Sequence, residues 1–426
     1  MPKIKLLIII FLLSFLTLNA DAIQRFPMPE FETNYLQPET LLPLPRAGLL
    51  AVVDVAVLLL SLSLISWIVL KKRSRKGVFW MSVFSLAYFG FYRQGCVCSI
   101  GSIQNVALAL FDSTFILPLT VIAFFVLPLV FTLFFGRTFC AGICPFGAIQ
   151  DLFAFYPQKI GLRLNAILGL LPYIYLGLAI LYAATGTDFI ICRYDPFVGI
   201  FRFNASFGMF IFTGIMLISG IFIARSYCRF LCPYGVLLNW VSRFSFRHIT
   251  ITPAECIHCR LCEDSCPYDA IEIPVTSKNP DTLPILAKKM VLICLLIPFM
   301  IVAGGWTGSI LHENLAMVNS KVTLAKALMD PKTLQVQPEP VEITAFKSSG
   351  KSLAQVRHEA DRIIGKFHTG SSIFGGFIGL VIGVLMARQL IYIRQTDYVP
   401  DKGKCFSCTR CVDFCPVKPE PRNVKA

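Results

Sequence analysis

Two short stretches constrain this chain more than anything else in it. Residues 256–267 read CIHCRLCEDSCP and residues 405–416 read CFSCTRCVDFCP. Cys256, Cys259, Cys262 and Cys266, and again Cys405, Cys408, Cys411 and Cys415, stand in the order C-x2-C-x2-C-x3-C-P. Bacterial ferredoxins hold [4Fe–4S] clusters with this run, since four soft thiolates at these intervals can wrap a cubane. The closing proline cannot continue a helix and turns the chain away. Zinc sites usually pair two short Cys spacings and lack both the third Cys and the C-P ending. Whatever the chain folds into must bring together, or keep apart, two ferredoxin runs separated by about 140 residues of largely apolar sequence.

That apolar character sets the second constraint. Of 426 residues, 55% are hydrophobic and only 15% are charged. Several long apolar runs make this a polytopic membrane protein rather than a soluble enzyme. The net charge of +14 would suit a nucleic-acid binder, but its placement follows membrane orientation instead. Inner segments of the expected topology carry 24 Lys and Arg, short outer segments 5 and the long outer segment 8, the short-loop bias of the positive-inside rule. Eight of the 16 cysteines lie in the two runs, which implies metal clusters in a reducing compartment rather than disulfides.

Residues 1–22 read as a signal peptide, with Lys3 and Lys5, an apolar core and Ala20-Asp21-Ala22 as cleavage site; an uncleaved anchor is the alternative. Residues 23–46 form a Pro-rich external segment. A membrane core follows over 47–245, with spans expected at 47–70, 77–92, 115–135, 166–184 and 207–224. The first ferredoxin run occupies 246–285, a membrane helix 286–305 (span 290–305), and an external partner-docking segment 306–370. A last membrane helix at 371–395 (span 373–393) leads to the second run, 396–426. The expected fold is thus a polytopic all-α membrane protein with an internal helix-pair repeat. It adds a small cytoplasmic two-cluster ferredoxin-like (α+β) domain assembled from two separated segments. Seven spans after the signal place both runs on the cytoplasmic side of a bacterial inner membrane.

The repeat is visible in R-T-F-C-A-G-I-C-P-F-G from Arg137 and R-S-Y-C-R-F-L-C-P-Y-G from Arg225, 88 residues apart. Each ends an inward-going helix, and each helix follows an outer Cys-bearing turn. The arrangement brings Cys140, Cys144, Cys228 and Cys232 to the inner surface. They are candidates for a further cluster, for redox thiols, or for a structural role in shaping helix ends. Cys96, Cys98 and Cys192 form a candidate outer centre, with a disulfide as the rival reading on an oxidising side. Cys294, alone in a span, reads as a packing residue.

In two-cluster ferredoxins the fourth Cys of each run ligates the other cluster. Cys256, Cys259, Cys262 and Cys415 are therefore expected on one [4Fe–4S] cluster, and Cys405, Cys408, Cys411 and Cys266 on the second. His258 reads as a solvent-facing filler, or as a ligand or tuning residue. Arg93, Arg193 and Asp195 can bind an anionic cofactor, tune a cluster, or anchor helix ends. The aromatic stretch Tyr194–Phe203 reads as an interfacial belt. No haem C-x2-C-H site and no nucleotide-binding glycine fingerprint occurs in the sequence, and His312, His358 and His368 read as scattered surface residues. No catalytic residue is expected. Electrons held inside would have to cross roughly 30 Å of hydrocarbon to be useful outside, so intermediate centres are needed where the two Cys constellations fall.

Two C-x3-C-P loops between membrane spans, followed by ferredoxin runs, resemble the NosR/NapH family of membrane polyferredoxins over about residues 47–275 and the C-terminal run. The resemblance implies that cytoplasmic clusters exchange electrons across the membrane with an external redox partner. The NosR-like branch serves nitrous oxide reduction and carries an external flavin domain. That domain is lacking here, so the flavin is expected on a partner. The NapH-like branch is linked to quinol oxidation for periplasmic nitrate reduction. The turns at Cys96-x-Cys98 and Asp195-Pro196-Phe197 look NosR-like. Three functions stand open: a transmembrane conduit to a flavoprotein, a quinol-oxidising subunit feeding a periplasmic reductase, and a redox or metal assembly factor using Cys140, Cys144, Cys228 and Cys232. A cytoplasmic electron donor or acceptor and the bilayer complete the expected partners.

Overall fold

The structure is a computed structural model in which residues 48–95, 99–251, 256–274, 283–329, 346, 352–390 and 397–417 are described. The expected signal peptide, the external segment 23–46, Cys96 and Cys98 lie outside these residues. The chain is mostly helical. Among the described residues, four helices are long and apolar enough to cross a membrane: Gly48–Lys72, Leu164–Ala184, Ala287–Ala316 and Leu353–Arg388. A fifth crossing arises if Pro196–Arg202 and Phe207–Phe222, bent by 111° at their junction, count as one broken span.

The remaining expected spans are shorter or irregular. Leu119–Phe135 has 17 residues, roughly 25 Å at 1.5 Å per residue. The stretch at 77–92 is α-helical over Arg75–Ser85 and then widens to a π-helix over Leu86–Tyr92. The first span also ends in a π-turn, Ile68–Lys72, beyond which Arg73 takes a left-handed conformation. Ser74 then caps the next helix by accepting from the Gly77 N–H, so the Lys/Arg run sits at a sharp reversal.

The hairpin that separates the ferredoxin runs is longer than expected. Its helices span Leu283–Ala316 and Leu353–Leu390, so most of 306–370 belongs to the hairpin's own helices and to Ser320–Met329, which packs on the second of them. Glycine permits the close seam between the two arms. A Cβ at Gly304, Gly308, Gly375 or Gly379 would overlap a backbone carbonyl oxygen of the opposite arm. Small residues at such interfaces let helix backbones approach in a membrane. The returning arm then delivers strand β2, Val399–Pro400, antiparallel to strand β1, Ile271–Glu272, with Ile271 opposite Pro400 and Glu272 opposite Val399. The short helices Leu261–Ser265 and Arg410–Phe414 pack together beside this pair.

Candidate iron–sulfur sites

Two cavities of nearly equal size lie in this paired segment. One, with about 340 Å³ of empty volume, is lined by Cys266, Cys405, Cys408 and Cys411. The other, about 330 Å³, is lined by Cys256, Cys259, Cys262 and Cys415. Each therefore takes three cysteines from one run and the fourth from the other.

The two runs share a backbone device. Residues two after the first Cys, His258 and Ser407, and one after the second, Arg260 and Thr409, all have positive φ between 52° and 62°. These turns fold the loop around its cavity, and the Ser407 N–H lies 3.4 Å from the Cys405 sulfur. Each loop then opens a five-residue helix that ends at the fourth cysteine, Cys266 or Cys415. The donor set is soft sulfur in apolar walls, which suits an iron–sulfur cubane. Burial pushes the Cys405 thiol up to about 12 and raises Cys262, Cys266 and Cys411. A bare pocket would thus hold protonated thiols, and metal binding must displace those protons.

The C-x3-C-P loops meet in the membrane core. Short helices Thr138–Gly142 and Ser226–Phe230 are followed by Cys144 and Cys232, each in extended conformation just before the proline that starts the next helix. Cys140, Cys144 and Cys228 all lie within electrostatic range of Cys232. Donors surround the sulfurs: Gln150 Nε2 to Cys228 at 3.3 Å, the Gly235 N–H to Cys232 at 3.3 Å and Arg137 Nη2 near Cys140 at 3.8 Å. The two C-x3-C-P motifs also clasp each other reciprocally. A Cβ at Gly147, last residue of the first motif, would lie 3.5 Å from the guanidinium of Arg225, first residue of the second. A Cβ at Gly235 would likewise lie 3.5 Å from Arg137 Nη2.

The core and the first cavity share a wall. Phe406, Tyr268, Ala154, Ala224, Ala270 and Cys408 form one buried cluster, with Cys140, Cys228, Cys266 and Cys405 packed against it. The guanidinium of Arg137 stacks 4.4 Å above the Phe406 ring, and Arg225 lies 5.3 Å from the same ring. Arg75, from the basic run after the first span, donates to the Cys408 carbonyl at 3.2 Å. Phe406, Tyr268 and Arg75 carry no metal-site pattern in the sequence, so only the fold identifies them. The two arginines were legible as the first letters of the repeat, but not as its clasp.

Other candidates fall elsewhere. Arg93 pairs at 2.9 Å with the buried Asp54, which also accepts from Tyr88, and Arg193 pairs with Asp188 at 2.9 Å. Asp195 is buried, accepts from the Phe197 N–H to cap the helix Pro196–Arg202, and faces Tyr227 of the second repeat. The expected aromatic belt is corrected in its middle: Phe197 and Phe201 are fully buried and pack edge-on against Phe146, while Tyr194 and Phe203 at its two ends stay exposed. The bend at 202–207 turns this helix into the core, where Gly90 leaves room for Phe201. Cys192 is exposed. Cys294 is exposed on its helix, not packed as expected. His312 and His368 are not scattered, since the hairpin brings their rings to 4.9 Å. His258 is exposed, and its ring, Cys256 and Asp397 place ligand atoms within 4.8 Å of one another.

A family profile described as "4Fe-4S binding domain" matches this chain twice, over residues 117–163 and 205–252, and a second profile of the same description matches 249–272. Protein NirI of Paracoccus denitrificans is 32% identical over 162 residues, 35% of this chain and 24% of NirI. The methylamine utilization ferredoxin-type protein MauN of the same organism is 28% identical over 144 residues, 33% of this chain and 51% of MauN. Regulatory protein NosR of Stutzerimonas stutzeri is 27% identical over 222 residues, 47% of this chain and 29% of NosR. The chain thus spans about a quarter to a half of the length of these relatives. No solved structure matches it. By its motifs and these matches, the chain is a relative of the NosR/NapH-type membrane polyferredoxins and carries 4Fe–4S binding domains.

Proposed function

We propose that this protein carries electrons across a membrane, between a donor on the face that holds the ferredoxin runs and a redox partner on the opposite face. The observation that carries the reading is the set of three four-cysteine groups, two ringing twin cavities and one in the core, with Phe406 and Tyr268 packed between core and cavity. Cys256, Cys259, Cys262 and Cys415 hold one [4Fe–4S] cluster, and Cys266, Cys405, Cys408 and Cys411 a second. Cys140, Cys144, Cys228 and Cys232 hold a further centre, a reading supported by the two profile matches that each cover one C-x3-C-P loop. A bound cluster supplies reversible one-electron storage at each position. The side chains fix position, exclude water through the apolar wall of Phe406, Tyr268 and Ala270, and offer N–H groups to sulfur.

The inside placement proposed for the runs is supported by the basic residues. Arg75 belongs to the strongest Lys/Arg run and touches Cys408, so that run and the cavities share one face, which the positive-inside rule assigns to the cytoplasm. The partner on the other face is a flavoprotein of a respiratory system such as nitrous oxide reduction. Anaerobic sealed vesicles test the function, with reductant on the cavity side and an impermeant acceptor on the other. The expected result is acceptor reduction that disappears in Cys266→Ser and in Cys140→Ser. Fully iron-loaded protein that passes no electrons to a competent acceptor would refute it.

A further inference from the structure

The two clasping arginines are not electrically equivalent. Arg225 is fully buried and its donors are satisfied: Nε and Nη2 pair with Asp151 at 2.9 and 2.7 Å, Nη2 also reaches the Ala141 carbonyl, and Nη1 the Cys140 carbonyl. Arg137 is 5% exposed. Its Nη1 donates to the Gly403 carbonyl at 2.8 Å, its Nη2 points at the Cys140 sulfur, and its Nε is buried with no hydrogen-bond partner. Among the described residues no carboxylate lies within ion-pair distance of it. The 88-residue offset of the repeat explains the difference, because the position equivalent to Asp151 is Asn239. Asn239 sits just across Gly403 from Arg137, where a Cβ on Gly403 would overlap its Oδ1, and that oxygen accepts from Arg243 at 3.3 Å.

A buried guanidinium without a counter-ion is strongly unfavourable. Four thiolates bound to iron and sulfide form a net anion that grows by one charge on reduction. We infer that Arg137 is the built-in counter-charge of the core centre at Cys140, Cys144, Cys228 and Cys232, and that Asn239, by leaving it unneutralised, raises the reduction potential of that centre. The inference rests on the core centre proposed above. Arg225 serves the clasp instead, its charge already answered by Asp151. The asymmetry gives the core one electrically distinct arginine, and Phe406 packs beneath both, 4.4 Å from Arg137 and 5.3 Å from Arg225.

The test is an EPR-monitored redox titration of anaerobically purified full-length protein, with iron and acid-labile sulfide counted on the same samples. The core signal is the one lost in Cys140→Ser. Arg137→Gln is expected to disfavour its reduction at least tenfold, a fall of 59 mV for one electron. Arg137→Lys, which keeps the charge, is expected to recover most of that fall. Asn239→Asp leaves Arg137 in place and tests the charge independently. It is expected to lower the same potential by a smaller amount, since Arg243 shares the new carboxylate. An unmoved core potential in both Arg137→Gln and Asn239→Asp, or an equal fall in Arg137→Lys and Arg137→Gln, would overturn the inference while leaving the core centre standing. About eight irons per chain, with no signal lost in Cys140→Ser, would instead remove the core centre and the inference with it.

Discussion

The seam of the long hairpin offers the most direct test of how the fold assembles its sites. Gly375→Ala adds one methyl group where the structure leaves no space. Its Cβ would overlap the Gly304 carbonyl oxygen and lie 2.9 Å from the Gly304 carbonyl carbon and 3.0 Å from Gly308 Cα, whereas ordinary contact begins at 3.4 Å. Every one of these neighbours is backbone, so no side chain can rotate away. The arms must separate by roughly 1 Å, a gap that forfeits a quarter to a half of each dispersion contact along the seam. Overpacking of this kind costs about 1–3 kcal/mol, and the lost contacts at Gly304, Gly308 and Gly379 bring the expected destabilisation to about 3 kcal/mol or more. Gly365→Ala, on the same helix, is the control, because a Cβ there meets nothing within 4 Å. Removing an exposed helical glycine should stabilise by up to about 1 kcal/mol. Thermal unfolding in detergent should therefore shift in opposite directions for the two variants. Gly375→Ala should also lose iron faster, since the returning arm delivers β2 and Cys405–Cys415 to their partners. If Gly375→Ala melts no lower than Gly365→Ala, the close seam does not hold the hairpin and the reasoning fails.

Cys415→Ser should abolish the same cluster signal as Cys259→Ser, and Cys266→Ser the same signal as Cys408→Ser, because each cavity draws its fourth thiol from the other run; EPR on reduced samples reads both. Asp151→Asn leaves Arg225 buried without its counter-ion, and breaking a buried pair from one side costs about 3–5 kcal/mol, seen as a large drop in folded yield. Burial and then the nearby Asp401 raise Glu272 above its ordinary 4.5. A raised carboxyl stabilises the fold when protonated, and that contribution is lost as pH rises through its folded value. Glu272→Gln should therefore melt higher than the parent at neutral pH, with the gain shrinking toward pH 4.5. Lys159 is half exposed in its pairs with Glu263 and Asp264, so Lys159→Ala should change stability by no more than about 1 kcal/mol.

Much of this molecule can be read from its letters, for reasons particular to each part. The ferredoxin runs are legible because cluster ligation needs fixed intervals of one residue type, and the same spacing sets the left-handed residues His258, Arg260, Ser407 and Thr409. The repeat is legible because Arg, Cys, Pro and Gly each hold a geometric place in it. Helix lengths are less so. Composition marks where the chain turns apolar, but it does not show that Leu283–Ala316 and Leu353–Leu390 continue past the hydrocarbon as one hairpin. The aromatic stretch at 194–203 misled because Phe and Tyr suit both an interface and a buried corner. The bend after Arg202, which composition does not announce, decides for the corner at Phe197 and Phe201. Phe406 and Tyr268 are aromatic residues beside cysteines, a pattern too common to single out until the core is built against them.

The split of the ferredoxin segment has a consequence in assembly order. A hairpin is the smallest membrane insertion that returns a chain to the face it left, so it can separate the two runs without separating their sites. The cost is that neither four-cysteine cavity exists until both arms are in place, since Cys415 completes one and Cys266 needs Cys405, Cys408 and Cys411 to complete the other. The first run alone has three cysteines at one cavity and a stray fourth at the next. The β1–β2 register, Ile271 to Pro400 and Glu272 to Val399, contributes only two residues per strand, too little to hold the halves together unaided. On the proposed cluster assignment, the glycine seam would supply the alignment before metal arrives, and bound metal would then lock what the seam has aligned. A chain with a misaligned hairpin thus lacks both clusters together rather than one, and iron per chain should fall in steps of two clusters, not one, across variants of the seam.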